Sequence, residues 1–233
     1  MATRKNWISF WDSEQTIYVN AHHREVHYRR IADDLRRFVK PGAMVLDYGC
    51  GETQAAGRIA EIADQLILSD AAPNVRATLA ARYAGNGKIA VMAPTDVATM
   101  LDRSLDVIVL HSVAQYMKPD ELDALLTLFR RLLKPDGLLV IGDIIPPDSS
   151  ALTDVLALLR FAAREHFFIA ALAGIVRTVF SDYRKLRAEL GLTRYSESEM
   201  QTKLKAADFS VERAENNIGH NNARMTFLAR PTF

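Results

Sequence analysis

The sequence contains a single cysteine, Cys50, so it holds neither an intrachain disulfide nor a zinc site built on cysteines. It has almost no net charge: 29 Lys and Arg stand against 28 Asp and Glu, for a formal +1. A protein held to nucleic acid by phosphate contacts usually carries a larger basic excess, so no nucleic-acid partner is expected. Long apolar runs are missing too. The longest marked one, Phe167 to Val176, falls well short of the ~18–20 residues of a membrane helix, and no transmembrane segment is expected. Met1-Ala2-Thr3-Arg4-Lys5 leads into aromatic and polar residues without the apolar core of a secretory signal, which makes a cytoplasmic protein the expectation. Repeats and low-complexity segments are also absent. What remains is a chain of 233 residues, 49% hydrophobic and 24% charged. That is an ordinary globular composition, large enough for one α/β domain with an added lid.

From residue 43 onward, short apolar runs alternate with helical segments. The expected strands are Met44–Asp47, Leu66–Ser69, Ile89–Met92, Val107–Leu110 and Leu138–Ile141. Their near-continuous apolarity suits parallel strands covered on both faces. Between them, Gln54–Ala63, Asn74–Tyr83 and Glu121–Leu133 are long enough for crossover helices, the last ended by Pro135-Asp136-Gly137. Strand and helix repeated in this way predict a doubly wound α/β fold with a mostly parallel sheet. Ser196-Glu197-Ser198-Glu199 reads as a capping box opening a helix to about Ala207. Val211–Ala214 and Met225–Ala229 are then expected as an antiparallel hairpin at the sheet edge, completing seven strands. Two segments stand outside the alternation. Residues 1–40 open with Trp7, Phe10, Trp11 and Tyr18, followed by a helix rich in His and Arg from Ala21 to Val39. Residues 148–192 form an insertion whose apolar helices are expected to break near Gly174 and Gly191. The chain is thus expected to comprise an N-terminal lid and first helix (1–40), a core (41–147 and 193–233) and a helical cap (148–192), all in one domain.

The chemistry concentrates in Val45-Leu46-Asp47-Tyr48-Gly49-Cys50-Gly51-Glu52-Thr53, at the end of the first strand. Glycines two apart allow a tight turn and let the backbone approach a ligand at the next helix N-terminus. Gln54 stands where a dinucleotide fingerprint would place its third glycine. Asp47 would repel a pyrophosphate but suits a cationic amino group. Both features point away from nicotinamide cofactors. Asp47-Tyr48-Gly49-Cys50-Gly51 resembles the first motif of the class I S-adenosylmethionine-dependent methyltransferases. Asp70, ending the second strand, matches that family's acidic residue for the ribose hydroxyls. Leu105-Asp106-Val107-Ile108-Val109 resembles its fourth-strand motif, His111-Ser112-Val113-Ala114-Gln115-Tyr116 the segment after it, and Leu132-Leu133-Lys134-Pro135-Asp136-Gly137-Leu138-Leu139 the turn into strand five. The likeness spans residues 22–145 and 195–230.

The resemblance implies a Rossmann-like seven-stranded fold, S-adenosylmethionine as cofactor, S-adenosylhomocysteine as product and a small-molecule methyl acceptor. It assigns cofactor contacts to Asp47, Gly49, Gly51, Asp70, Ala71, His111, Ser112 and Tyr116. Relatives often place an acidic residue after the third strand for the adenine amine. Here Met92-Ala93-Pro94-Thr95-Asp96 leaves either a shifted Asp96 or the backbone around Pro94 and Thr95 for that task. His111 is the weak candidate for a base. Tyr18 and Tyr28 either fold over the ligands or merely pack. His23 and His27 share a helix face with a metal-like spacing, but no Glu follows His23 as in zincins, so a solvated or substrate-facing surface is preferred and no metal is expected. His220, within Asn216–Asn222, reads as turn chemistry. In the insertion, Phe161, Phe167, Phe168, Ile169, Leu172, Ile175, Val176 and Phe180 are either core, a lid over an apolar acceptor with Phe168 and Leu172 facing it, or a membrane-surface or homodimer contact. The alternative to a methyltransferase is an inactive S-adenosylmethionine-binding interaction protein of the same fold. A nucleic-acid methyltransferase is disfavoured because no Asn-Pro-Pro-Tyr or Asp-Pro-Pro-Tyr motif follows strand four.

Overall fold

The computed structural model describes residues 7–13, 18–179, 189 and 191–232. Seven strands form one sheet: β1 (Met44–Tyr48), β2 (Gln65–Ser69), β3 (Ile89–Met92), β4 (Leu105–His111), β5 (Leu133–Ile144), β6 (Phe209–Arg213) and β7 (Met225–Pro231). Their spatial order is β3-β2-β1-β4-β5-β7-β6. Strands β1 to β5 run parallel, whereas β7 is antiparallel to both β5 and β6. The order reverses between β1 and β4. That reversal leaves a crevice at the strands' carboxyl ends.

Alternation along the strands divides the core into two layers. Leu46, Ile108, Leu110, Leu139 and Ile141 point to one face, where they meet Leu122, Leu126 and Phe129 of α6 (Pro119–Leu132) and Met200 and Leu204 of α9 (Glu197–Ala206). Val45, Leu66, Leu68, Val107, Val109 and Val140 point to the other. There they meet α2 (Ala21–Arg36), α3 (Ala56–Ala60) and α4 (Pro73–Tyr83) through Leu35, Ile59 and Leu79. The apolar spacing of α6 makes it amphipathic. Pro119 opens it, and the Glu121 carboxylate accepts from the Lys118 N–H at 2.7 Å. Ser196 caps α9 as the capping box predicts, with its Oγ accepting from the Glu199 N–H at 3.2 Å.

Three local expectations are corrected. The crossover helix expected over Gln54–Ala63 is shorter, Ala56–Ala60. Pro135-Asp136-Gly137 does not precede strand five but lies inside it, where pairing jumps from Leu105 with Leu133 to Val107 with Leu138. The extra residues form an irregularity that the sheet absorbs. Gly174 does not break a helix either. It sits within α8 (Phe168–Val179), and a Cβ there would collide with the Val19 side chain. The glycine therefore serves close approach, letting the N-terminal segment lie against α8.

The described part of the insertion includes α7 (Ala151–Arg164) and α8, which pack on the N-terminal region. Val26, Phe161, Ala162, Phe167 and Ala171 form a small third core between them. Phe168 and Leu172 stay outside it, 43% and 46% exposed, beside Ile169 at 85%. Phe180 lies outside the described residues. Among the described residues, no helix is long and apolar enough to cross a membrane.

Gly174→Ala should lower stability by ~1–3 kcal/mol through overpacking, although alanine is the better helix former by ~0.8–1.0 kcal/mol. Adding Val19→Ala should recover most of the loss. Urea unfolding of the single and double variants checks this, and an additive double variant would mean the two residues do not touch.

Candidate functional site

The turn after β1 is built from its backbone partners. Gly49 has φ +74 and donates its N–H to the Ser69 carbonyl at 2.7 Å; the Cys50 N–H shares that acceptor at 3.1 Å. Gly51, at φ +57, donates to Asp70 Oδ2 at 3.0 Å, and the Ala72 N–H donates to Asp70 Oδ1 at 2.9 Å. The ends of β1 and β2 are thus tied together through one carbonyl and one carboxylate. Side chains are excluded for steric as well as torsional reasons. A Cβ on Gly49 would strike Val113, and one on Gly51 would meet the Tyr28 hydroxyl at 3.3 Å.

This turn borders a cavity of about 1480 Å³. Asp47 lies on its wall and, among the described residues, makes no hydrogen bond or ion pair. Burial, reinforced by the nearby Asp70 charge, pushes its carboxyl from the ordinary 3.8 up to about 7. Asp70 is also raised by burial, offset by its backbone donors and Arg76. The cavity therefore holds a carboxylate that lacks a cation.

Chain segments outside the sheet close the cavity. In α1 (Trp7–Trp11), Trp7 and Trp11 pack on Tyr116 with ring centroids 4.6 and 5.7 Å away. Asp12 then accepts from the Asn74 N–H at 2.7 Å, docking this segment on the start of α4. Arg24 of α2 pairs with Glu52 of the glycine turn at 3.1 Å. Farther along α2, Arg29 pairs with Glu165 beyond α7 at 3.0 Å.

Of the residues singled out from sequence, Asp47, Gly49, Gly51, Asp70, Ala71, Pro94, His111, Ser112 and Tyr116 line this one cavity, as do Tyr18 and Tyr28. Three do not. Thr95 is exposed and off the wall, because the short helix α5 (Pro94–Val97) turns it outward. Phe168 and Leu172 occupy the outer face of α8. Asp96 is exposed and off the wall, and its carboxylate caps α5 by accepting from the Ala93 N–H at 3.1 Å.

His23 and His27 both line the cavity rather than a solvated face. His23 is buried, 6% exposed, and stacks on Phe167 at 4.7 Å. His27 and His220 line the cavity with ring centroids 5.9 Å apart. Asp143 joins them there, unnoticed in the sequence although it follows strand-type residues at a carboxyl end, where α/β sheets bind ligands. Nothing local betrayed His220, which reaches the wall on a long return loop. Among the described residues, no group of three or more His, Cys, Asp or Glu is placed to hold a metal ion.

Comparison with known proteins decides what this crevice belongs to. Residues 46–141 match the family model described as a methyltransferase domain. That stretch of the chain is similar to a methyltransferase domain. With the sheet order above, it is consistent with the class I S-adenosylmethionine-dependent enzymes. No curated protein matches the chain. Solved structures share its fold at low identity. Burkholderia thailandensis 1,6-didemethyltoxoflavin-N1-methyltransferase, solved with S-adenosylhomocysteine, is 18% identical with TM-score 0.55, covering 90% of this chain and 80% of that one. Magnesium protoporphyrin IX methyltransferase from Synechocystis, solved with its methyl donor, is 13% identical with TM-score 0.57, covering 100% and 87%. DhpI, solved with S-adenosylhomocysteine, is 13% identical with TM-score 0.60, covering 96% and 94%. The matched stretch begins at Leu46 and ends at Ile141, so it takes in the glycine turn, Asp70 and the end of β4, but neither α2 nor the cap.

The Asp47 shift carries a sign. A carboxyl that titrates near 7 in the folded state and near 3.8 when unfolded binds its proton more tightly folded. Stability is therefore highest below the unfolded value and falls as pH rises through that window, by up to ~4 kcal/mol above it. Asp47→Asn should flatten this dependence and make the ligand-free protein more stable than the parent at pH 8. Denaturant unfolding at pH 5 and pH 8 measures it; an unchanged pH dependence would show that Asp47 is solvated.

Proposed function

We propose that the protein binds S-adenosylmethionine in this cavity and transfers its methyl group to a small molecule, releasing S-adenosylhomocysteine. The observation that carries the reading is the Asp47 carboxylate, without a partner among the described residues, beside the glycine turn. The donor set fits the group. An α-amino group supplies the cation that Asp47 lacks, and Asp70, already oriented by the Gly51 and Ala72 N–H groups, keeps lone pairs for two ribose hydroxyls. The glycine turn leaves its backbone open to the methionyl part. Pro94 and the neighbouring backbone border the adenine side. The bound cofactor contributes a methyl group already activated on a sulfonium.

The remaining work belongs to the chain. It holds an acceptor atom in line with that methyl and excludes water, and proximity of this kind can supply ~7–11 kcal/mol. About 1480 Å³ exceeds the ~300–1,000 Å³ usual for one ligand, which leaves space for an acceptor beside the cofactor. Helices α2, α7 and α8 would act together as a closing layer over the core, since they are bound to each other by the third core and the Arg29–Glu165 pair.

Thermal shift and calorimetric titration test the reading. S-adenosylmethionine and S-adenosylhomocysteine should stabilise the protein by ~2.7 kcal/mol at 100 times their dissociation constants, and NAD should not. Asp70→Ala should weaken S-adenosylhomocysteine by ~1.5–3 kcal/mol for each charge-assisted bond lost. Stabilisation by NAD alone would falsify the assignment.

A further inference from the structure

The cofactor contacts leave one side of the cavity without a task, and that side is walled by rings. His27 faces His220 across 5.9 Å, while Tyr18 and Tyr28 lie 5.4 and 5.5 Å from His27. His220 is stacked on Phe161 of α7, with ring centroids 4.6 Å apart and planes within 14°.

The loop that carries His220 is fixed from several directions. Gly219, at φ +91, donates its N–H to Asp34 of α2 at 3.0 Å, and Asn221 donates to Asp154 of α7 at 3.0 Å. The Asn217 amide oxygen accepts from the Asp143 N–H at 3.1 Å and from the Thr226 hydroxyl at 2.8 Å. Asp143 in turn accepts from the Ser112 hydroxyl at 2.8 Å. Both Ser112 and Asp143 have left-handed backbone, φ +59 and +64. Non-glycine residues persist in that region where the surroundings impose it, and such strain clusters at functional sites. Two lie here side by side on the cavity wall, at the ends of β4 and β5.

The charges around these rings select the chemistry. His27 is faced by His220, His111 and His23, and His111 by Asp143 and Asp34. His220 is faced by Asp143, Arg224, Asp154 and His111. Burial holds all three imidazoles below the ordinary 6.5, so they are neutral proton acceptors at pH 7; Asp143 pulls both His111 and His220 back up, joined by Asp34 at His111 and by Asp154 at His220, where Arg224 and His111 oppose it. Arg224 is engaged by both oxygens of Asp154 at 2.9 Å, which disfavours an anionic acceptor. Asp143 accepts from Ser112 and acts on the His111 and His220 rings, so its charge is directed at an imidazole that gains a proton rather than at a cationic amine. An acceptor that arrives neutral and leaves its proton behind satisfies the wall.

We propose that this side of the cavity takes a planar aromatic acceptor bearing an ionisable hydroxyl, and that His220, backed by Asp143, accepts the hydroxyl proton. The proposal rests on the methyl-transfer reading and names its substrate class. The acceptor O–H bond breaks and its proton passes to the imidazole lone pair. The oxygen electron pair forms the new bond to the methyl carbon, and the pair of the methyl–sulfur bond stays with sulfur. The positive charge ends on His220 beside the Asp143 carboxylate.

4-Nitrophenol serves as the probe, because its phenolate absorbs visible light and its phenol does not. Difference spectra are taken with the full chain and S-adenosylhomocysteine, one pH unit below the solution pKa of the probe. The parent protein should show a bound-phenolate band. His220→Phe, which keeps a ring stacked on Phe161, and His220→Gln should lose the band while calorimetry still finds the probe bound. Asp143→Asn, which keeps the shape and removes the countercharge, should weaken the band, and it supplies the decision if neither His220 variant folds. No band with the parent, a band that survives in the folded variants, or tighter binding of benzylamine than of the phenol would overturn the proposal. Titration of S-adenosylhomocysteine into the same samples separates the two readings: its failure to bind would defeat methyl transfer, whereas the phenolate band reports on His220 alone.

Discussion

Everything at this site depends on how the ends of β1 and β2 are tied. One carbonyl, that of Ser69, takes two N–H groups from the glycine turn, and one carboxylate, that of Asp70, takes Gly51 and Ala72. These bonds satisfy the backbone of a turn that lies outside the sheet ladder and would otherwise be left with unpaired donors. They also hold Gly49 and Gly51 in left-handed conformations that only glycine adopts cheaply. The same bonds orient the Asp70 oxygens. The carboxylate that ties the turn therefore also borders the crevice at the β1–β4 reversal.

Such a crevice is open by construction, and the chain spends its non-sheet segments on covering it. Helix α2 is the hinge piece of that cover in a physical sense: it reaches the glycine turn through Arg24, the cap through Arg29 and Val26, and the β6–β7 loop through Asp34. Removing water from the cavity strengthens each electrostatic interaction inside it. The same desolvation lifts Asp47 toward neutrality and lowers His27, His111 and His220. Neutral imidazoles in such an interior suit a reaction in which a positive charge moves from one partner to another.

The strands, the sheet class, the glycine turn and the acidic residue of β2 were legible in the sequence, because each is set by short-range rules. Short apolar runs, a Gly-x-Gly and a carboxylate at a strand end keep their meaning wherever the chain goes. Pro135-Asp136-Gly137 misled because sheet pairing overrode a local stop signal, carrying β5 back to Leu133. Gly174 misled in the opposite sense. A glycine inside an apolar helix reads as a break, and only the approach of Val19 shows that it makes room.

His23, His27 and His220 show where sequence reasoning ends. The four-residue spacing of the first two places them on one helix face, yet it does not say that His23 stacks on Phe167 while His27 meets a loop nearly two hundred residues away. Likewise, Phe168 and Leu172 share a face of α8, but the face that packs is the one bearing Phe167 and Ala171. The sequence by itself determined the doubly wound sheet, the turn that opens the cavity and the charge pattern at its cofactor side. Only the tertiary structure decided which helix faces turn inward, which histidines share the wall and where Asp143 stands. Periodicity and motif spacing follow from backbone geometry within a few residues, whereas these placements follow from packing between segments that meet only when the chain is folded.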